Sequence, residues 1–235
     1  MNLRELRKYN YVPYSGNGAM CVAESDRGHF FPGVRIENPV FPLTISEIQA
    51  AVFSCLSENE QPARLYTEHP QEKNLCFWKN EYNLSLHSLQ ELPDDVMFES
   101  VILPDDTHTE AELLESLLDR AITLNSDFPV SALLKTERGM VTGVNIECSE
   151  WSLGLCAERV ALAKAVSNGA RPFNALYIHT RYGEFSSPCG ACRQVIVEHM
   201  PSQPVHLFHA NRTRSVHYSS DLLPYSFRSS TSKEH

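Results

Sequence analysis

The clearest hydrophobic periodicity lies in the second half of this 235-residue chain. Across residues 109–123, apolar side chains recur at Leu113, Leu114, Leu117, Leu118, Ala121 and Ile122, the spacing of one helical face. Residues 128–135 and 140–146, joined by a turn at 136–139, predict a β-hairpin. Residues 156–168 predict a helix ended by Gly169. A strand is predicted at 176–180, a helix at 189–200 just after Pro188, and strands at 205–209 and 215–218. Hairpin, helix, strand, helix and strand in that order predict an α/β unit, a mixed sheet with helices on its faces. In the first half, residues 68–93 are polar and predict no clear element.

An internal repeat extends this reading to the whole chain. Gly33-Val34-Arg35-Ile36-Glu37 matches Gly143-Val144-Asn145-Ile146-Glu147, and the same spacing pairs Phe41 with Trp151 and Leu43 with Leu153. It also aligns two helix-like runs, 47–55 and 157–165. Upstream, Tyr14-Ser15-Gly16-Asn17 parallels Asn125-Ser126-Asp127-Phe128. Downstream, Val101-Ile102-Leu103-Pro104 parallels Asp221-Leu222-Leu223-Pro224 at a larger spacing. Matches kept in order predict two copies of one unit. The boundary is predicted in the Pro/Asp turn at 104–106, giving units at 1–107 and 108–235.

Charge separates the two copies. The chain carries 20 Lys and Arg against 29 Asp and Glu, a formal net charge of -9. Residues 1–107 hold 8 basic and 16 acidic side chains, whereas residues 108–235 hold 12 and 13. An acidic chain argues against polynucleotide binding, which needs clustered positive charge. No apolar signal segment follows the opening MNLRELRKYN, and no run approaches the length of a membrane span. The expected compartment is the cytoplasm. The seven cysteines are then expected to be free, metal-bound or catalytic.

Three of those cysteines and a glutamate carry the candidate chemistry. Cys156-Ala157-Glu158-Arg159 opens one predicted helix and Pro188-Cys189-Gly190-Ala191-Cys192-Arg193 opens another. Cysteines at i and i+3 share a helical face, so Cys189 and Cys192 can point at one ion, with Cys156 as a third thiolate. Helix N-termini favour the thiolate form that a metal needs. Three protein ligands leave a fourth tetrahedral position for water, the catalytic zinc pattern, and Glu158 stands close enough to move that water's proton. A structural site with Cys148 as fourth ligand and a redox Cys-x-x-Cys pair are the alternatives.

These motifs, in this order, resemble the cytidine deaminase family of zinc-dependent nucleoside deaminases. The resemblance spans residues 124–227 and rests on Ser126-Asp127-Phe128-Pro129-Val130, Gly143 to Glu147, Leu153 to Arg159, Ser187 to Gln194, and Leu222-Leu223-Pro224. Cysteine rather than histidine at 156 resembles the free-nucleoside branch. The resemblance implies one Zn²⁺ per chain, in the C-terminal unit, on Cys156, Cys189 and Cys192, with Glu158 as proton shuttle. It implies that Asn145 and Glu147 hold the ribose hydroxyls, that Phe128 packs on the base, and that Ala157 lines the substrate site. Arg159 would offset the negative charge of a three-thiolate zinc. In tetrameric relatives the position of Trp151 and a C-terminal Phe, here Phe227, approach a neighbouring active site. Cys148, Trp151 and Ser131 depart from the residues customary at their positions.

The first copy lacks this set: Ser46 stands opposite Cys156, Ile48 opposite Glu158, Arg35 opposite Asn145 and Asn17 opposite Phe128. Residues 1–107 are therefore expected to be a degenerate, non-catalytic copy. The chain is expected to form a homodimer whose four units mimic a tetramer. The expected activity is hydrolytic deamination of cytidine and deoxycytidine in pyrimidine salvage. Deamination of a modified aminonucleoside such as blasticidin S is the nearest alternative, and a zinc-stabilised nucleoside-binding scaffold a further one.

Overall fold

A computed structural model describes residues 3–93, 95–104 and 109–227. In chain order the elements are α1 (Leu3–Leu6), β1 (Met20–Ser25), β2 (Phe30–Val34), α2 (Glu47–Ser57), β3 (Pro62–Thr67), α3 (Cys76–Glu81), β4 (Ser85–Ser88) and β5 (Ile102–Leu103). The second half adds α4 (Glu110–Leu117), β6 (Val130–Thr136), β7 (Gly139–Val144), α5 (Ala157–Ser167), β8 (Phe173–Thr180), α6 (Gly190–His199), β9 (Pro204–Phe208), β10 (Arg214–Tyr218) and α7 (Ser219–Leu222).

Two mixed sheets share one topology. The first runs β2-β1-β3-β4, and the second runs β10-β9-β8-β6-β7-β5. In each, a hairpin pairs antiparallel, its first strand pairs antiparallel with the third, and the third pairs parallel with the next. Registers agree as well: Cys21 faces Gly33 in the first hairpin and Ala132 faces Gly143 in the second. The chain is α/β, built of two tandem units of this kind.

The unassigned stretch 68–93 contains α3 and β4, so the first unit keeps the second helix and fourth strand of the pattern. The helix predicted over 109–123 stops earlier. After a tight turn to Arg120, Ile122 donates its N–H to the Asn145 carbonyl and accepts from Glu147 N, so strand-like pairing replaces the last helical turn. The likeness of Val101–Pro104 to Asp221–Pro224 is not structural. Ile102 and Leu103 form β5, paired with β7 of the second sheet, while Asp221 and Leu222 end α7. Phe98, four residues earlier, bridges to Phe30 of the first sheet, so this connector touches both units. Residues 105 and 106 of the boundary turn, and 107 and 108 after it, lie outside the described residues.

The two units are joined through their central helices. Residues 48–57 of α2 are all buried, and in α5 every residue except Arg159 is buried. A helix covered on all sides belongs to the interior. Each lies directly on its own hairpin, because Gly33 and Gly143 carry no side chain. A Cβ at Gly33 would stand 2.1 Å from the Glu47 carbonyl oxygen, and one at Gly143 would stand 2.3 Å from that of Ala157. The helices also pack on each other, and Val34 N donates to Ser167 Oγ across the junction at 3.2 Å.

A charged cluster closes the same junction. Lys164 of α5 is wholly buried; its ammonium donates to the Glu58 carboxylate, just beyond α2, and to Thr142 Oγ1 at 3.0 Å. Arg120 adds a second cation 3.6 Å from Glu58. Burial pushes the Lys164 ammonium down, while Glu58 pulls it back toward the charged form. Deleting one partner of such a pair strands a buried charge. Glu58→Ala is expected to cost about 3–5 kcal/mol in chemical denaturation, with Glu58→Ala/Lys164→Met recovering much of the loss.

Candidate active site

The N-termini of α5 and α6 converge. Cys156 is the N-cap of α5 and makes no side-chain cap bond, which leaves its sulfur directed away from its own helix. Cys189 caps α6, accepting from Cys192 N at 3.5 Å, and Cys192 lies one turn inside. The sulfurs of Cys156 and Cys189 are 3.7 Å apart, and all three sulfurs lie within 4.8 Å of one another. Zn–S bonds of about 2.3 Å at a tetrahedral centre put sulfurs about 3.8 Å apart, so the cluster fits that ion. Among the described residues it is the one group of three or more His, Cys, Asp or Glu side chains placed to hold a metal. Cys148 is buried elsewhere, its sulfur 3.3 Å from the Tyr82 hydroxyl, and it is not in the cluster. All seven cysteines are free, and none forms a disulfide.

Two charged side chains face the sulfurs. Glu158 is only 6% exposed, and its Oε2 has no hydrogen-bond partner. Burial first, then the neighbouring Cys189, push its carboxyl up to about 7. Arg159 has a buried Nε without a partner. Burial works against its charge, but the three cysteines beside it outweigh burial and hold the guanidinium cationic. Orphaned polar atoms of both signs around a thiol cluster are the expected surroundings of an ion with a reacting water.

The adjoining pocket, of 180 Å³, is lined by Asn145, Ile146, Glu147, Trp151, Gly154, Leu155, Cys156 and Arg159. Glu147 is fixed by three donors: Asn125 N at 2.8 Å, Ser126 N at 3.1 Å and Ser126 Oγ. Asp127 makes this possible by taking a left-handed φ of 49°, which turns the chain back over the carboxylate. Asn145 accepts from Val130 N at 2.8 Å and donates to the Phe128 carbonyl at 3.1 Å. Phe128 itself lies outside the residues lining this pocket, its ring 6.3 Å from that of Tyr182. Ala157 is buried as the first residue of α5. Trp151 is 63% exposed, and Phe227, also exposed, is tethered to α6 by Gln194 Nε2 donating to its carbonyl at 2.7 Å.

Two sets of contacts were not read from the sequence. Arg193 staples the Cys189 loop: its guanidinium donates to Pro188 O at 2.9 Å, to Ser187 Oγ, and to Leu222 O at 3.3 Å. It directly follows Cys192 of the Cys-x-x-Cys motif, so its place was visible but its reach was not. Glu81 and Gln49 of the first unit contact the 148–153 segment, and no local pattern announces them.

The first unit has the same frame without the chemistry. Glu37 is cradled by Tyr14 N, Ser15 N and Ser15 Oγ as Glu147 is by its counterparts, with Gly16 in the left-handed turn at φ 70°. Arg35, in place of Asn145, turns onto Glu37 instead, Nε to Oε1 at 3.3 Å. Ser46, in place of Cys156, caps α2 in a reciprocal capping box with Gln49. Its side chain is engaged by its own helix.

The second unit is similar in sequence to known proteins. Residues 107–206 match the family model described as the cytidine and deoxycytidylate deaminase zinc-binding region. A cytidine deaminase of Sporosarcina psychrophila is 48% identical over 91 residues, which is 38% of this chain and 67% of that protein. A blasticidin-S deaminase of Bacillus cereus is 31% identical over 103 residues, 39% of this chain and 74% of that protein. The crystal structure of cytidine deaminase from Burkholderia pseudomallei aligns with a TM-score of 0.48 at 35% identity, covering 51% of this chain and 100% of that one. The chain belongs to the cytidine deaminase family. Among the described residues no helix is long and apolar enough to cross a membrane.

The glycine beneath α5 ties this site to the fold. In Gly143→Ala the new methyl meets the backbone at the start of the helix that Cys156 caps, a clash expected to cost about 1–3 kcal/mol or more. Gly33→Ala is expected to destabilise comparably. Only Gly143→Ala is expected to speed zinc loss to a chelator, read by metal analysis after dialysis.

Proposed function

We propose that this protein catalyses the hydrolytic deamination of cytidine and deoxycytidine, taking up water and releasing ammonia to give uridine and deoxyuridine. The observation that carries this reading is the buried Glu158 carboxylate, with one oxygen unpartnered, beside three converging cysteine sulfurs. Cys156, Cys189 and Cys192 would hold the zinc ion, one per chain. When bound there, zinc would lower the pKa of a water toward about 7 and so supply the nucleophile for C4 of the pyrimidine. Glu158 takes up the proton that this water loses and delivers it to N3; it then takes the remaining proton of the new C4 hydroxyl and passes it to the amine, which leaves as ammonia as the C4 carbonyl forms. Its carboxyl, raised by burial, is suited to exchanging protons near neutral pH. Asn145 and the cradled Glu147 orient the ribose hydroxyls, and Phe128 covers the base. The buried Arg159 offsets the charge of the thiolates.

The first unit supports a non-catalytic reading of residues 1–107, as one of two copies of a common ancestor. Arg35 occupies the carboxylate that would take a sugar hydroxyl, and Ser46 offers no thiolate. Phe41 and Trp151, at matched positions, are exposed by 83% and 63%. Those faces support a homodimer in which four units surround the active sites, acting on small nucleosides in pyrimidine salvage in the cytoplasm.

The loss of cytidine absorbance tests the reaction. The wild-type protein is expected to turn cytidine over faster than blasticidin S, because the Glu147 cradle matches a plain ribose. Faster blasticidin S turnover would instead favour the activity named in the Bacillus cereus relative. Glu158→Gln is expected to retain one zinc per chain and lose activity roughly 100- to 10,000-fold. Unchanged turnover in that variant would overturn the mechanism. Two zinc ions per chain would overturn the non-catalytic reading of the first unit. Sedimentation equilibrium is expected to give about twice the chain mass of 26.6 kDa; a monomer would overturn the dimer.

A further inference from the structure

The pocket wall between Ile146 and Leu155 is a loop closed at its base and held at its tip by the other unit. Ile146 and Leu155 exchange two backbone hydrogen bonds, of 2.9 and 3.0 Å. Between them the chain passes out through Glu147, Ser149 and Trp151 and returns through Gly154, and Glu147, Trp151 and Gly154 line the pocket. Within its outer part the loop bonds mainly to itself, as where Ser152 Oγ donates to Glu150 at 2.8 Å. Glu147, at its start, is held by Ile122, Asn125 and Ser126 of its own unit, whereas the outer part from Cys148 to Leu153 takes its contacts from the first unit. Glu81, the last residue of α3, accepts from Ser149 N at 2.8 Å and from Ser149 Oγ. Tyr82 sets its hydroxyl against the buried Cys148 sulfur, and Gln49 of α2 donates to the Leu153 carbonyl at 2.9 Å. Trp78 of α3 stacks on Tyr82 and packs edge-on to Phe53 of α2, which ties these anchors to the buried junction.

We propose that Glu81 is a positioning residue for nucleoside binding, by which the first unit sets the pocket wall of the second within the same chain. This rests on the deaminase reading and extends it, since the non-catalytic unit then shapes the substrate site. Glu81 acts through Ser149: its carboxylate fixes the loop tip two residues beyond Glu147 and two before Trp151. Glu147 stays in its own cradle, but an unpinned tip lets the exposed Trp151 wander before substrate binds, and binding must then order it. The cysteines and Glu158 belong to other segments and keep their geometry. The cost therefore falls on binding rather than on the chemical step.

The test is initial-rate kinetics of cytidine deamination by the full-length protein, with metal content and melting temperature recorded for each variant. Glu81→Ala is expected to raise KM about 3- to 10-fold, with kcat within about twofold and zinc unchanged. Glu81→Gln, which still accepts from Ser149 N and can donate to its hydroxyl, is expected to restore KM to within about twofold of wild type. Lys79→Ala, on the exposed side of α3, is the control and is expected to leave KM unaltered. An unaltered KM in Glu81→Ala overturns the proposal. So does a joint fall of kcat, zinc content and melting temperature, which would mark a general structural role, or a Glu81→Gln variant no better than Glu81→Ala. Calorimetric binding of uridine makes the same comparison without turnover. An unchanged Kd in Glu81→Ala overturns the positioning role even in a protein that deaminates nothing, whereas absent turnover alone overturns only the deaminase reading.

Discussion

Two helices buried on nearly every side, α2 and α5, meet at the centre of this molecule, and the contact between them governs what each unit can do. Each lies so close to its own hairpin that only glycine fits beneath it, at Gly33 and Gly143. The remaining faces of the two helices are left to each other, and the buried Lys164 with Glu58 and Thr142 completes the junction. The first turn of α5 therefore has little freedom, and Cys156, Glu158 and Arg159 leave it in fixed directions. A thiol cluster beside a buried carboxylate and guanidinium, each with one unpartnered polar atom, is a costly arrangement. It persists because the helix that presents it is held on all sides.

The same frame carries two different chemistries. At the start of α5 the N-cap is a cysteine that makes no bond to its helix, so the thiol is available to an ion. At the start of α2 the N-cap is Ser46, which forms a capping box with Gln49 and satisfies its own helix terminus. In the pocket above, Asn145 bonds backbone and leaves Glu147 open toward the pocket, whereas Arg35 fills that direction over Glu37. A few side-chain exchanges turn a candidate ion-and-sugar site into a self-satisfied one without altering strand order. The unit with the self-satisfied site is also the one whose Glu81 and Gln49 reach the other's pocket loop.

How much of this was legible beforehand depends on how local each signal is. The hairpin, α5, α6 and the final strands follow from periodicity and from Gly and Pro punctuation, and their ends shifted by no more than a few residues. The thiol cluster was readable because Cys189 and Cys192 share one helical turn and Cys156 opens the neighbouring helix. Glu147 was singled out through the family resemblance, and the structure gives it the same backbone cradle as its repeat partner Glu37. The last turn predicted for α4 failed where Ile122 found a strand partner in Asn145, since a pairing across sequence outweighed a local helical pattern. The 101–104 likeness failed for a related reason: a short apolar run ending in Pro takes the form of whatever sheet edge or helix lies beside it.

By itself the sequence indicated the α/β class, a repeated unit and the cysteines competent to hold a metal, because these are written in local periodicity, in matched motifs and in the placing of cysteines at helix starts. Only the tertiary structure decided that Lys164 would be buried against Glu58, that Cys148 would stay out of the cluster, and that Glu81 would hold Ser149. Each of those contacts joins residues distant along the chain, so each exists only once α2 and α5 have packed and brought their units together.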